Sequence, residues 1–233
     1  MSDMSERYDL RMMAAYVRGT LKQGGPLFTT PLDELTEGDC GALMEIAGAA
    51  GLRTHPFKRH ETLPRVKAAL GFLRGIQPQS LLDVGSGRGA FLFPFMREFP
   101  WVPVTSLDIL EKRTAVLSAI HDGGMENLTA LNASICDWDA PDASFDAVTL
   151  LEVLEHIPDV QAAVRNAVRL ARRYVVVTVP SKPDDNPEHI HLLTKPALTE
   201  MFGAAGCERL QFDGVPGHLF MVASTGRTEP KDI

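Results

Sequence analysis

The sequence predicts an α/β protein built on a mostly parallel sheet that ends in an antiparallel hairpin, with a helical extension in front. Three observations carry this. From residue 80 onward short β-branched or aliphatic runs alternate with helical patterns, the mark of repeated βαβ units. The last two runs, ERLQFD and HLFMVAS, are separated only by GVPG, too short for a crossover and suited to a hairpin. A Gly/Pro-marked break, GIQPQS near residue 78, separates this alternation from a helical first part.

In chain order, Thr36 with Asp39 predicts a capped helix through about Ala47, with Gly51 as its stop. A second helix is expected from Thr62 to Leu73, because Leu63, Val66, Leu70 and Leu73 share one face while Arg65, Lys67 and Arg74 lie off it. Then come the strand SLLDV and a helix over 90–99, VPVTSLD and a helix over 111–121, LTALNA, and FDAVTLLE with a helix over 159–172. YVVVTVP, a helix over 195–205 and the hairpin complete the series. The expected domains are therefore an extension or cap over 1–77, the α/β domain over 78–226 and a flexible polar tail over 227–233.

Composition narrows the function classes. With 233 residues, 45% hydrophobic and 23% charged, the chain can bury a substantial core and is not a disordered polypeptide. No apolar run is long enough to span a bilayer, and charges interrupt MSDMSERYDLRMMAAYVRGT too often for a secretory h-region, so a cytoplasmic location without membrane partners is expected. Cys40, Cys136 and Cys207 form no CxxC pair and read as reduced thiols. The net charge of -7 argues against a surface wholly devoted to nucleic acid. Its distribution is uneven: Arg53 to Arg74 holds six Lys/Arg against Glu61 alone.

The most informative segment is LLDVGSGRGAF, where a buried-type strand runs into Gly85, Ser86, Gly87 and Gly89 before a helix. Glycines there let the backbone turn tightly and approach a ligand, and the helix offers free N–H groups. Alone the pattern also suits a dinucleotide, since Gly85-x-Gly87-x-x-Ala90 fits G-x-G-x-x-A. Two acids sharpen it. Asp83 precedes the loop and can order its amides or meet a cationic group, and Asp108, followed by Ile109, ends the next strand, where a carboxylate can accept from both hydroxyls of a ribose. After the third strand, Asp137 and Trp138 could receive an adenine amino group and cover the ring.

LLDVGSGRG, an acid after the second strand, a DW pair after the third and FDAVTLLEVLEHIPD at the fourth together resemble the class I S-adenosylmethionine-dependent methyltransferases over about residues 78–224. The resemblance implies a Rossmann-like seven-stranded sheet with helices on both faces and an antiparallel last strand. It also implies S-adenosylmethionine as cofactor, lined by Gly85, Ser86, Gly87 and Gly89, with Asp83 near its methionine end. Asp108 would hold the ribose beside Ile109, Asp137 and Trp138 would flank the adenine, and Glu152 would lie next to the cofactor.

The acceptor side is sought after the fourth strand, where Glu152, Glu155 and His156 stand at i, i+3 and i+4. On a helical turn that spacing puts all three on one side, where they could hold a divalent cation or leave His156 as general base. The segment resembles two metal-using branches, the ubiquinone-pathway O-methyltransferases and the small-RNA 3′-terminal ribose 2′-O-methyltransferases. The second implies a further histidine after strand five. His191 fits it best, with His189 as a substrate contact, although Leu192-Leu193-Thr194-Lys195 departs from the RNA branch. Mixed carboxylate and imidazole ligands favour Mn, Fe, Co or Zn over Mg. The Pro/Asp/Asn-rich stretch 180–193 reads as a site cover. Lys58, Arg59 and His60, from a segment that in this family often folds over the pocket, could meet an acidic or phosphorylated acceptor. The lead expectation is O-methylation of a small-molecule hydroxyl by a monomer or homodimer, with or without a metal. RNA ribose methylation, a nicotinamide-dependent oxidoreductase and a non-catalytic cofactor-binding protein are the alternatives.

Overall fold

A computed structural model of the chain describes residues 2–53, 62–183 and 185–227. Seven strands, β1 (Leu81–Val84), β2 (Val104–Asp108), β3 (Leu128–Asn132), β4 (Phe145–Leu151), β5 (Ala171–Pro180), β6 (Arg209–Val215) and β7 (His218–Ser224), make one sheet in the order β3-β2-β1-β4-β5-β7-β6. The pairs β2/β3, β1/β4 and β4/β5 are parallel, and β5/β7 and β6/β7 antiparallel. The α/β class and the terminal hairpin are as expected. β1 is buried along its whole length and β4 over all but its end residues, which explains why both read as continuous apolar runs.

By compactness the chain forms two units, Met1–His60 with Ser86–Asn132, and Glu61–Gly85 with Ala133–Ile233. The first holds β2, β3 and helices α1 (Ser2–Leu21), α2 (Pro26–Thr29), α3 (Glu37–Ala49), α5 (Leu92–Glu98) and α6 (Glu111–Asp122). Helix α3 starts at the expected capping box: Thr36 Oγ1 accepts from the Asp39 amide, and the Asp39 carboxylate accepts from Thr36 N–H at 2.9 Å. The two hydrogen bonds from Thr36 hold the Asp39 carboxyl below its ordinary pKa.

The sequence reading did not anticipate α1. Its charges mark an amphipathic helix, with Met12, Ala14, Ala15 and Val17 buried and Ala14 and Val17 packed with Leu35, Cys40, Leu43 and Ala47. Arg18 donates to the carbonyls of Phe28 at 2.6 Å and Thr30 at 2.7 Å, satisfying the end of α2. Helices α1 and α6 lie so close that a Cβ on Gly19 would sit 1.8 Å from the Ala119 carbonyl oxygen, and one on Gly123 1.8 Å from that of Ala15.

The second unit holds β1, β4–β7, α4 (Pro64–Ile76), α7 (Val160–Leu170) and α8 (Lys195–Ala204). Asp146, with its side chain wholly enclosed, receives Gln79 N–H at 3.0 Å, Arg172 at 2.8 Å and Arg173 at 3.1 Å, joining the starts of β1, β4 and β5. Helix α7 stops short of residue 172 because β5 already begins at Ala171. Arg227, which the sequence places in the tail, donates to the carbonyls of Val168, Arg169 and Ala171, the last at 2.6 Å, closing the end of α7; residues 228–233 of that expected tail lie outside the described residues. No helix among the described residues is long and apolar enough to cross a membrane. The three cysteines are free, and burial pushes the Cys207 thiol up to about 11.

Gly123→Ala forces the Cβ into the Ala15 carbonyl and should cost about 1–3 kcal/mol. At about 2–4 °C per kcal/mol for a chain of this size the melting temperature falls by several degrees. Gly71→Ala, in α4 with nothing within 4 Å of the new methyl, should leave it unchanged or slightly higher. Scanning calorimetry of both variants checks the pair.

Candidate functional site

Within the first unit the glycine loop is held by Asp108. This side chain at the end of β2 is 7% exposed, yet both carboxylate oxygens are engaged: Oδ2 accepts from Gly87 N–H at 3.0 Å and Oδ1 from Leu110 N–H at 2.9 Å. Asn132 Nδ2 donates to the Asp108 carbonyl at 2.9 Å, tying β3 to the same point. A carboxylate has about four lone-pair sites, so acceptor capacity is left for ligand hydroxyls. Ser106 donates to Ser86 Oγ at 2.7 Å, and Gly89, at φ 77, would place a Cβ 2.3 Å from the Phe93 ring. Ile109, directly after the buried acid, is 71% exposed, an uncovered apolar side chain where a ligand's ring could rest.

Within the second unit, Asp83 is buried and accepts from Thr149 Oγ1 at 2.7 Å. Gly85 has φ 66, and a Cβ there would lie 2.6 Å from Val153 Cγ2. Glu152, the first residue after β4, has φ 59, a left-handed conformation that costs a non-glycine residue about 1–3 kcal/mol. Its N–H donates to the Thr178 carbonyl at 3.0 Å, and its Oε1 accepts from Thr178 Oγ1 at 2.7 Å. Its Oε2 meets His218 Nε2 at 2.9 Å.

That backbone corrects the expected acceptor cluster. Glu152, Glu155 and His156 do not share a helical turn: Glu152 is in the left-handed region and only Leu154–His156 forms a 3₁₀ turn. Glu152 is turned toward β5 and β7, whereas Glu155 is fully buried and grouped with His156 and His189, their ligand atoms within 4.8 Å of one another. His191 is not in this group; its Nε2 donates to the Ile157 carbonyl at 3.0 Å. The tetrad Glu152, Glu155, His156 and His191 is therefore replaced by the triad Glu155, His156 and His189.

The stretch 180–193 lies against the 3₁₀ turn. Ile190 and His191 donate their N–H groups to the Glu155 carbonyl at 2.9 and 3.3 Å, and His156 Nδ1 donates to the Glu188 carbonyl at 2.9 Å. Because a carbonyl only accepts, this last bond puts the proton on Nδ1 and leaves the Nε2 lone pair of His156 for a metal or a proton. The His156 and His189 rings meet edge to face at 4.8 Å.

Trp138 also departs from expectation. Its ring packs against Phe145, centroids 6.0 Å apart, at the start of β4, roughly 20 Å along the strand from the Glu152 end. Asn166 Nδ2 donates to the Trp138 carbonyl at 2.9 Å and further fixes the loop. The indole thus serves loop packing, while Asp137 beside it is exposed. Lys58, Arg59 and His60 lie outside the described residues. His218, Thr178 and Thr149 were not singled out from the sequence. Their one signal was position at or near the ends of predicted strands, and only the strand order places His218 beside Glu152.

A mostly parallel sheet with a terminal antiparallel hairpin, a glycine loop closing β1 and a buried acid closing β2 define the class I S-adenosylmethionine-dependent methyltransferases. Similarity to known proteins agrees. The family model described as "Methyltransferase domain" matches residues 57–211, and the chain belongs to that family. A ubiquinone biosynthesis O-methyltransferase of Alkalilimnicola ehrlichii is 35% identical over 104 residues, 43% of this chain and 40% of that protein. A ribosomal RNA small subunit methyltransferase G of Lactococcus lactis is 39% identical over 77 residues, 31% of this chain and 32% of that protein. The chain thus spans well under half of the length of either. Among solved structures, the YcgJ protein of Bacillus subtilis superposes with a TM-score of 0.53 at 21% identity, covering 64% of this chain and 71% of that one, a likeness of fold.

Gly85→Ala combines a strained φ with a clash on Val153 and should lower the melting temperature by several degrees. Adding Val153→Ala should recover part of the loss, a coupling of about 0.5–3 kcal/mol in a double-mutant cycle, whereas strict additivity would show that Val153 is not the obstacle.

Proposed function

We propose that the protein transfers the methyl group of S-adenosylmethionine to a hydroxyl of a small molecule, with a divalent metal at Glu155, His156 and His189. The observation that carries the reading is the triad itself: a buried carboxylate beside two imidazoles, one with its free lone pair set by the Glu188 carbonyl. The donor set fits Mn²⁺, Fe²⁺, Co²⁺ or Zn²⁺, and three protein ligands leave positions open for an acceptor oxygen. The partial match to ubiquinone biosynthesis O-methyltransferases supports an oxygen acceptor, and the net charge of -7 suits a small molecule better than a nucleic acid.

The cofactor residues follow from the same reading. Within the first unit, Asp108 would receive the ribose hydroxyls and Ile109 the adenine. When bound, S-adenosylmethionine supplies a methyl group already activated on a sulfonium, so the protein's tasks are alignment and removal of the acceptor proton. A metal at the triad would lower the pKa of a hydroxyl beside it.

Methyl-tritiated cofactor incubated with protein and cell extract should label the metabolite fraction, and EDTA should abolish the transfer. Label in small RNA instead would overturn the acceptor, and EDTA resistance the metal. Without any acceptor, His189→Ala should weaken Mn²⁺ binding at least about tenfold while His191→Ala leaves it nearly unchanged. Asp108→Ala should weaken S-adenosylhomocysteine binding about 10- to 100-fold by calorimetry, as expected for lost charge-assisted hydrogen bonds.

A further inference from the structure

Strand β6 is the last of the sheet; it pairs with β7 on one side, and among the described residues no strand lies on its other side. Its turn fixes which backbone groups face outward. Val215 and His218 close the two-residue turn Pro216-Gly217 as a directly opposed pair, so Val215, Asp213, Gln211 and Arg209 turn their backbone groups to β7. Leu210, Phe212 and Gly214 turn theirs to the open edge. One of these is already engaged: Gly214 N–H is the donor to Asp213 Oδ1 at 2.7 Å. The N–H and C=O groups of Leu210 and Phe212 form a short template for another strand.

The side chains alternate in character along the same stretch. Arg209, Gln211 and Asp213 are exposed on one face, whereas Leu210 and Phe212 are half-buried on the other, where Lys195 Nζ stands 5.8 Å from the Phe212 ring centre. Beside the strand an open groove of about 480 Å³ is lined by Phe72, Gln211, Phe212, Asp213, Phe220 and Val222. Asp213 stands directly across from Phe220 of β7, on the same face of the sheet. Among the described residues the Arg209 guanidinium has neither a hydrogen bond nor an ion pair.

We propose that β6 is the dimer interface of this protein, pairing antiparallel with β6 of a second copy about a twofold axis at Gln211. An isologous contact must be complementary to itself, and this strand meets that condition. Arg209 faces Asp213 of the second copy, and Asp213 faces the second copy's Arg209, giving two opposite-charge pairs. Leu210 faces Phe212 of the second copy, and these are the residues whose outward N–H and C=O groups exchange hydrogen bonds. The neighbouring registers are worse. An axis at Arg209 or Asp213 opposes like charges, and one at Leu210 or Phe212 leaves Arg209 facing Gln211 or Val215. An axis between two residues would oppose side chains that point to different faces. The groove also gains an occupant: Arg209 of the second copy falls in one row with Asp213 and Phe220, its stem over an apolar floor and its charge at the carboxylate. The two sheets become one continuous sheet.

The test is made on the full chain and needs neither cofactor nor acceptor. Sedimentation velocity over a micromolar to hundred-micromolar range should show a reversible dimer that weakens as salt rises, because exposed charge pairs are screened. Asp213→Arg and Arg209→Asp should each raise the dimer Kd about tenfold or more, and the double variant should return it to within about threefold of wild type. Gln211→Cys should give a disulfide-linked dimer on mild oxidation, since Cα atoms opposed across the axis lie about 4.5 Å apart, within disulfide reach. Asp213→Cys, displaced along the strand from its own copy, should not, and wild-type protein controls for Cys40, Cys136 and Cys207. A monomer throughout the concentration range overturns the proposal and leaves the edge to a strand of another protein. A dimer indifferent to both single charge changes, or one that the double variant does not restore, overturns it as well, because it would use another surface or register. So does equal cross-linking at positions 211 and 213. If a charge variant fails to fold, the cross-linking pair decides alone.

Discussion

The constraint on which this protein depends is that parallel strands buried on both faces can present chemistry only at their ends. Within β1, β4 and β5 nearly every side chain is committed to packing, and the backbone groups are committed to the ladder. The polar residues that matter therefore stand at or just past the carboxyl ends of strands: Asp83 and Gly85 at β1, Asp108 at β2, Glu152 at β4. Each must also be satisfied locally, because a buried carboxylate without partners is costly. That need explains why Asp108 receives two backbone N–H groups and Asp83 a threonine hydroxyl.

The second consequence is a division of labour among acidic residues that look alike in sequence. Glu152 and Glu155 are three positions apart, yet the left-handed backbone at Glu152 sends one toward β5 and β7 and the other toward the 186–191 stretch. One carboxylate faces the His218 ring, 2.9 Å away. The other lies with the imidazoles of His156 and His189, the three ligand atoms within 4.8 Å of one another. A strained dihedral persists only where neighbours over-determine it, and the Thr178 hydroxyl and carbonyl with the His218 ring are those neighbours.

Much of the fold was legible in the chain because the signals are local. Strand–helix alternation, the GVPG turn and the Thr36/Asp39 box each depend on residues within a few positions of one another, and each appears in the structure near its expected bounds. Helix α1 was missed because the same interspersed charges that exclude a signal segment also describe an amphipathic helix, and its apolar stripe has meaning only once α3 and α6 are there to cover it. Gly19 and Gly123 carry no local signal either; they are required by the approach of two helices distant in sequence.

What the sequence by itself determined was the class: the glycine loop after a buried strand, the acid after the next and the closing hairpin constrain backbone conformation locally, so they read directly. What only the tertiary structure decided was which side chains meet. His189 rather than His191 joins Glu155 and His156 because the 186–191 backbone bonds to the Glu155 carbonyl and the His191 ring turns to Ile157. Trp138 turns to Phe145 instead of staying free for a ligand. His218 reaches Glu152 because β7 inserts antiparallel beside β5, a pairing of segments far apart in the chain that no spacing rule encodes. Side-chain partnership follows from strand order and from one left-handed dihedral, and both are outcomes of packing the whole chain rather than of any stretch of it.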